Sequence, residues 1–321
     1  MTGDRTGRPS ISVVVPVFQA ESCLRELAGR LAASLGPLAP DFEVVLVDDG
    51  SPDGSWETIE GLAASDPRFR GVKLSRNFGQ HAAITAGLDR AAGSWTVLMD
   101  CDLQDRPEEI PRLYDRARQG YDVVFALRKR RSDSWWRRAS SRAFYRVLGY
   151  LTDTKQDPEI GNFGIYSAKA IGAVTGLRES LRYFPAMIRW VGFRTSAVEV
   201  EHASPAGRRS AYSPRKLANL ALGVMISFSE KPLRIAVKLG LAISGLSFVA
   251  AVALILRAVL VRQAVPGWSS LMASVWFLSG LVIFFLGLSG LYLGKVFEEV
   301  KRRPLYIVEK TAEPGSPRDA A

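Results

Sequence analysis

Two long stretches without a charged residue constrain this chain more than any other feature. Leu239 to Leu256 covers 18 positions and Leu271 to Gly294 covers 24. Crossing the hydrocarbon of a bilayer takes about 20 apolar residues as helix. A helix packed on a soluble core keeps a polar stripe, and these stretches have none. They predict two transmembrane helices. Lys231, Arg234 and Lys238 precede the first stretch, and Lys295, Lys301, Arg302 and Arg303 follow the second; only Arg257 and Arg262 lie between. Basic residues are retained on the cytoplasmic side. The expectation is a two-span hairpin in the cell (inner or plasma) membrane, with both termini cytoplasmic and a short outer loop around Pro266-Gly267-Trp268.

Upstream, strand-like runs alternate with helical ones. The strands are Ile11–Val17, Phe42–Val47, Phe69–Leu74, Trp95–Met99 and Asp122–Ala126. Helical stretches include Ser22–Leu35, with Leu24, Leu27, Leu31 and Leu35 on one face, and Gly79–Ala92. Such alternation predicts an α/β domain, a doubly wound and mostly parallel sheet. Sheets of this kind bind ligands beyond the carboxyl ends of their strands. Four polar loops follow those ends: Pro16-Val17-Phe18-Gln19-Ala20-Glu21, Asp48-Asp49-Gly50-Ser51-Pro52-Asp53-Gly54, Ser75-Arg76-Asn77-Phe78-Gly79-Gln80, and Asp100-Cys101-Asp102-Leu103-Gln104. The dinucleotide G-x-G-x-x-G and the P-loop pattern are both missing, which argues against those two nucleotide folds.

The fourth loop carries the most chemistry. Two carboxylates one residue apart, with an amide oxygen beyond, are hard ligands suited to Mg²⁺ or Mn²⁺, and such an ion can hold a diphosphate. Asp100, Asp102 and Gln104 are the predicted metal ligands, and strand alternation points both aspartates the same way. Two histidines, His81 and His202, are too few for a His-rich zinc site. Two cysteines, Cys23 and Cys101, make no disulfide framework and fit a reducing compartment. The N-terminal residues do not read as a signal peptide, so the catalytic part is expected in the cytoplasm.

Net charge is +10, which suits phosphate-bearing ligands or an anionic surface. Between Arg128 and Arg146 there are eight basic residues and one acid, Asp133, interleaved with Trp135, Trp136, Phe144 and Tyr145. That mixture reads as a segment for the surface of the lipid bilayer rather than for nucleic acid. Arg215 to Glu230 reads as a second juxtamembrane amphipathic helix.

In order along the chain stand VVVPVFQAE, VLVDDGSPDGS, LSRNFGQHAAITAGLD, MDCDLQDRPEEIP, GNFGIYS, IRWVGF and ISFSEKPLR, then the two apolar stretches. As a set they resemble the family 2 inverting glycosyltransferases of GT-A fold. More narrowly they resemble the polyprenyl-phosphate glycosyltransferases, which include dolichol-phosphate mannose synthases; the resemblance runs from Ile11 to about Lys301. It implies a flexible N-terminus over 1–10, a GT-A domain over 11–211, a juxtamembrane helix over 212–232, the hairpin over 233–294 and a tail over 295–321, disordered after Lys310. It also implies transfer of a hexosyl or N-acetylhexosaminyl group from a nucleotide sugar, UDP-linked, to polyprenyl (undecaprenyl) phosphate.

Residue by residue, the resemblance assigns the donor nucleotide to Pro16, Phe18, Glu21, Asp48, Asp49, Arg76 and Gly79. It assigns the acceptor phosphate to Arg128, Arg131, Arg208, Arg209, Ser210 and Tyr212. Asp100, Asp102, Asn162 and Arg209 would form the catalytic set. Three departures stand out. Phe18 replaces the usual Tyr; Asn162 replaces an Asp that could act as a base, and so is expected to position the acceptor; Gly207 is displaced by one in Ser204–Tyr212. A phosphate acceptor is already anionic near neutral pH and has little need of a base. Two rival readings are a processive polysaccharide synthase and a non-catalytic membrane scaffold. The first is opposed by Arg189-Trp190 lacking the preceding Gln of a Gln-x-x-Arg-Trp motif, the second by the intact aspartate pair. The sugar, the lipid length and a homo-oligomer are left open.

Overall fold

A computed structural model of the chain describes residues 10–128, 160–201, 231–261 and 267–313. In chain order the sheet elements are β1 (Ile11–Val17), α1 (Glu21–Leu35), β2 (Glu43–Asp48), α2 (Ser55–Ser65), β3 (Phe69–Leu74), α3 (Gln80–Leu88) and β4 (Trp95–Leu98). After a 3₁₀ turn at Pro107–Glu109 come α4 (Ile110–Ala117), β5 (Val123–Arg128), β6 (Ile160–Ser167), α5 (Ala168–Gly176), α6 (Phe184–Trp190) and β7 (Thr195–Val200). The long helices α7 (Lys231–Val261) and α8 (Trp268–Val300) follow, and β8 (Val308–Ala312) ends the described chain.

The eight strands form one sheet in the order β7-β5-β6-β4-β1-β2-β3-β8. Every residue of β1 and β2 is buried, as expected of central strands covered on both faces. The expected leucine face of α1 is the one it buries: Leu24, Leu27, Leu31 and Leu35 are each 1% exposed or less. The pairings β1–β2, β1–β4 and β2–β3 are parallel. So is β5–β7, and the sheet is mixed but mostly parallel, as expected: six of its eight strands run one way, and β6 and β8 run against them. Strand β6 lies antiparallel between β4 and β5, and β8 pairs antiparallel with β3. The βα rhythm stops before β6, where glycines blur the strand period. Gly164 is needed there, since a Cβ would stand 2.7 Å from both the Tyr166 hydroxyl and the Val124 carbonyl. The segment after Lys310, expected to be disordered, continues β8 through Thr311 and Ala312, because the open edge of β3 offers it a ladder.

The described chain divides into two compact units. The sheet unit takes in the residues up to 201 and those from 303 onward; α7 and α8 belong to the second. Among the described residues one stretch, Ser274–Val300, is long and apolar enough to cross a membrane, and none of it is buried. The Leu239–Leu256 stretch lies wholly within α7.

The helix α3 lies close against the sheet through Gly87, where a Cβ would come within 2.4 Å of Val14 Cγ1 and 3.1 Å of Val47 Cγ2. Overpacking such a contact costs about 1–3 kcal/mol. Gly87→Ala should therefore lower the thermal midpoint of the protein by several degrees, followed by circular dichroism. A midpoint equal to wild type would show that α3 lifts from the sheet without cost.

Candidate active site

The crevice opens where β4 leaves β1. Their pairing ends at Val14↔Leu98, while β1 continues beside β2 to Val17↔Asp48. Pro16 therefore sits where its missing N–H is not needed by β4. Past β1 the chain turns sharply: Phe18 is 44% exposed and Gln19 takes a left-handed φ of 52°. The neighbouring loop fixes this turn. Gln19 N–H donates to Ser51 Oγ (3.1 Å), Ala20 N–H to Ser55 Oγ (3.0 Å) and Glu21 N–H to Asp53 Oδ2 (3.4 Å). Glu21 returns the contact by accepting from Gly54 N–H at 3.1 Å.

The two aspartates after β2 play different parts. Asp49, 3% exposed, accepts the backbone N–H groups of Phe78 (2.7 Å) and Gly79 (2.9 Å), one on each oxygen. It thereby ties the β3–α3 loop to β2. Asp48 is fully buried; its Oδ1 accepts from Ser51 N–H at 3.2 Å, while Oδ2 has no partner among the described residues. Burial raises the pKa of both carboxyls. An orphaned buried carboxylate oxygen is a position where a ligand N–H or O–H restores what burial removed. Gly50, at φ 68°, lets the two loops meet, for a Cβ there would lie 2.6 Å from the Arg76 carbonyl carbon. Arg76 is exposed, its guanidinium 4.1 Å from the centre of the Phe78 ring.

The acidic loop is a turn and not the end of a strand. β4 stops at Leu98, so side-chain alternation does not orient Asp100 and Asp102. A left-handed Leu103, φ 61°, does. Non-glycine residues in that region cluster at functional sites. Asp100 Oδ1 accepts from Gln80 Nε2 at 2.7 Å, and its N–H donates to buried Asp105 at 3.2 Å. Exposed Asp102 accepts from Gln104, from the backbone N–H at 3.1 Å and from Nε2 at 2.5 Å. Gln104 thus holds Asp102 through both its backbone and its side-chain nitrogen. Cys23 Sγ braces the turn from α1 by donating to the Cys101 carbonyl at 3.0 Å. Among the described residues no three His, Cys, Asp or Glu side chains converge as a metal cage. The donor set fits a hard divalent ion that completes its shell with phosphate oxygens and water.

Asn162 is half-buried on β6. It stands two residues before Gly164, the partner of Leu98 at the end of β4. Arg128 ends β5 opposite Val200, at the same edge of the sheet. Arg131, Arg208, Arg209, Ser210 and Tyr212 lie outside the described residues. The structure thus gathers Pro16, Phe18, Glu21, Asp48, Asp49, Arg76, Gly79, Asp100, Asp102, Gln104, Asn162 and Arg128 at one sheet edge. Sequence reading gave no role to Gln80 or Asp105, which fix Asp100. The only signal was their position, one beside the left-handed Gly79 and the other one residue past the acidic turn.

The sequence model for glycosyl transferase family 2 matches residues 12–174, just over half of the 321. The chain belongs to that family and is a glycosyltransferase. An undecaprenyl-phosphate 4-deoxy-4-formamido-L-arabinose transferase of Aeromonas hydrophila is 35% identical over 303 residues, 94% of this chain and 93% of that one. The SfII prophage-derived bactoprenol glucosyl transferase of Shigella flexneri is 34% identical, over 94% and 98%. Among solved structures, glucosyl-3-phosphoglycerate synthase from Mycobacterium tuberculosis aligns with a TM-score of 0.49 and 15% identity, over 68% of this chain and 79% of that one.

His81 follows Gln80 in α3, stacked edge-on against Tyr183 at 5.3 Å, with Nδ1 covered and without a partner. Burial, aided by the Arg182 charge, lowers its pKa from 6.5 to about 4. The unfolded chain then binds this proton more readily than the folded one, so stability falls as pH drops from 6.5 toward 4. The loss is about 2 kcal/mol, allowing for partial exposure. Asp48 and Asp49, with raised pKa values, act in the opposite sense. Replacing His81 by Gln should flatten the acid side of the stability profile, read from urea midpoints between pH 7.5 and 5. An unchanged slope would mean that His81 is protonated in the fold.

Proposed function

We propose that this glycosyltransferase moves a sugar from a nucleotide sugar, UDP-linked, to polyprenyl phosphate with inversion, giving a lipid-phosphate monosaccharide at the cytoplasmic face of the membrane. The observation that carries the reading is the crevice itself. One pair of loops offers a buried orphan acceptor at Asp48 beside exposed Phe18, which suits a nucleobase. Another offers Asp100, Asp102 and the Gln104 amide oxygen within reach of the same edge, which suits a diphosphate. Two relatives alike over 94% of this chain are named for undecaprenyl phosphate and bactoprenol.

In this reading Asp48 accepts from the base or ribose and Phe18 lies against the nucleoside. Pro16 and Glu21 shape the turn, and Asp49 with Gly79 holds the loop that carries Arg76. A Mg²⁺ or Mn²⁺ ion bound by Asp100, Asp102 and Gln104 would neutralise charge on the departing diphosphate. An acceptor phosphate oxygen attacks the anomeric carbon from the face opposite the nucleotide. The C1–O bond to the diphosphate breaks, and no proton need be removed. Asn162, an amide on β6 at the same sheet edge, orients the acceptor, and the basic residues Arg128, Arg131, Arg208 and Arg209, with Ser210 and Tyr212, bind its phosphate as bidentate or charge-assisted partners.

Chain connectivity supports two spans. The sheet unit contains both β7 and β8, and α7 and α8 lie between them in sequence. A chain that leaves a sheet and rejoins it on the same side crosses the bilayer an even number of times. If α8 spans, α7 is its return. A cysteine replacing Ser269 should then react with an impermeant thiol reagent on intact cells, and one replacing Ser316 only after lysis; the reverse pattern would overturn this topology.

The activity is tested with membranes containing the protein, undecaprenyl phosphate and a panel of nucleotide sugars. The expected product is an acid-labile lipid monosaccharide whose formation stops with EDTA and resumes with Mg²⁺ or Mn²⁺. Asp100→Asn and Asp102→Asn should each lower the rate about a hundredfold or more, several kcal/mol in the transition state. A polymeric product, or full turnover by either variant, would sink the proposal.

A further inference from the structure

Residues 305–312 follow the second long helix in sequence, yet they belong to the sheet unit. Besides pairing with β3, they touch both ends of one loop–helix piece, Ser75 to Asp89. At its start, the Ser75 N–H donates to the Ile307 carbonyl at 2.9 Å, beside the register shift where β8 passes Leu74. At its end, the Tyr306 hydroxyl donates to Asp89 Oδ2 at 2.8 Å. Arg178 grips the same carboxylate with two bonds, of 2.8 and 3.0 Å.

Asp89 occupies the C-cap of α3. An acid at a helix C-terminus opposes the helix dipole, so local helix stability does not explain Asp89; its two tethers do. Between the tethered ends stand Arg76, then Phe78 and Gly79, held by Asp49, and Gln80, linked to Asp100. We infer that residues 305–312 are a positioning element of the donor site, with Tyr306 and the Ile307 carbonyl clamping the Ser75–Asp89 piece at both ends. None of them touches the reacting atoms. They set where the loop stands, and the inference rests on that loop serving the nucleotide sugar.

The test uses the full-length protein in lipid nanodiscs, comparing wild type, Tyr306→Phe, Asp89→Ala and the double variant. Tyr306→Phe keeps the ring and its packing and removes one hydrogen bond. Amide hydrogen exchange over residues 75–80 should speed up, and UDP affinity measured by calorimetry should fall about fivefold. The KM for nucleotide sugar should rise by a similar factor, with kcat and the KM for polyprenyl phosphate within about twofold of wild type. The double variant should be no worse than the poorer single one, because both remove the same bond. Unchanged exchange, or a fall in kcat at unchanged UDP affinity, overturns the inference. If wild type binds no UDP, the donor reading fails by itself, and exchange over 75–80 alone decides the clamp.

Discussion

A single buried carboxylate organises the crevice. Asp49 is almost fully enclosed and has no cation bonded to it among the described residues, yet it receives two backbone amides from a loop that begins a different helix. Hydrogen bonds to a charged group contribute about 1.5–3 kcal/mol each when burial would otherwise strip the charge of water. Burial still raises its pKa, so the carboxylate costs the fold something and the loop recovers it. From that tie the order of the site spreads outward. Gly79 starts α3, Gln80 leans on Asp100, and Asp100 is fixed in turn by Asp105. The loops that follow β2, β3 and β4 are joined through this line of contacts.

Much of the fold could be read from residue order because the signals were local. The leucine spacing of α1 and the unbroken apolar runs of β1 and β2 each carry their own period, and burial followed it. The polar loops at strand ends were also legible, since strand direction alone decides which edge they share. What escaped depended on partners distant in sequence. The reversed direction of β6 follows from sheet register, which Ile160–Ser167 does not state. The strand Val308–Ala312 alternates too weakly among Glu309, Lys310 and Thr311 to stand out without β3 beside it. The family resemblance assigns Asp49 to the donor nucleotide, and what residue order does not state is that its two oxygens each accept a backbone N–H of the β3–α3 loop. Side-chain alternation failed at Asp100 for a related reason: β4 ended two residues earlier.

The acceptor side differs in kind. Asn162 and Arg128 reach the sheet edge through strands, so their positions follow from register. In sequence, Arg131 lies between β5 and β6, and Arg208, Arg209, Ser210 and Tyr212 lie between β7 and α7. Under the proposed function, a donor held at strand ends and an acceptor bound from connecting segments would suit a reaction whose two substrates come from water and from lipid.

The place of β8 in the chain has a consequence for how the protein is made. It is synthesised after both long helices, and it covers the edge of β3, whose partners on the other side are in place from the start. Until it arrives, β3 presents an unpaired row of backbone groups, the kind of edge that invites pairing with another chain. The Ser75 amide likewise waits for Ile307. The nascent sheet is therefore complete only once the apolar helices have left the ribosome and found their own environment. A chain cut short between α7 and α8 would carry every acidic motif of the crevice and still lack the strand that closes its sheet.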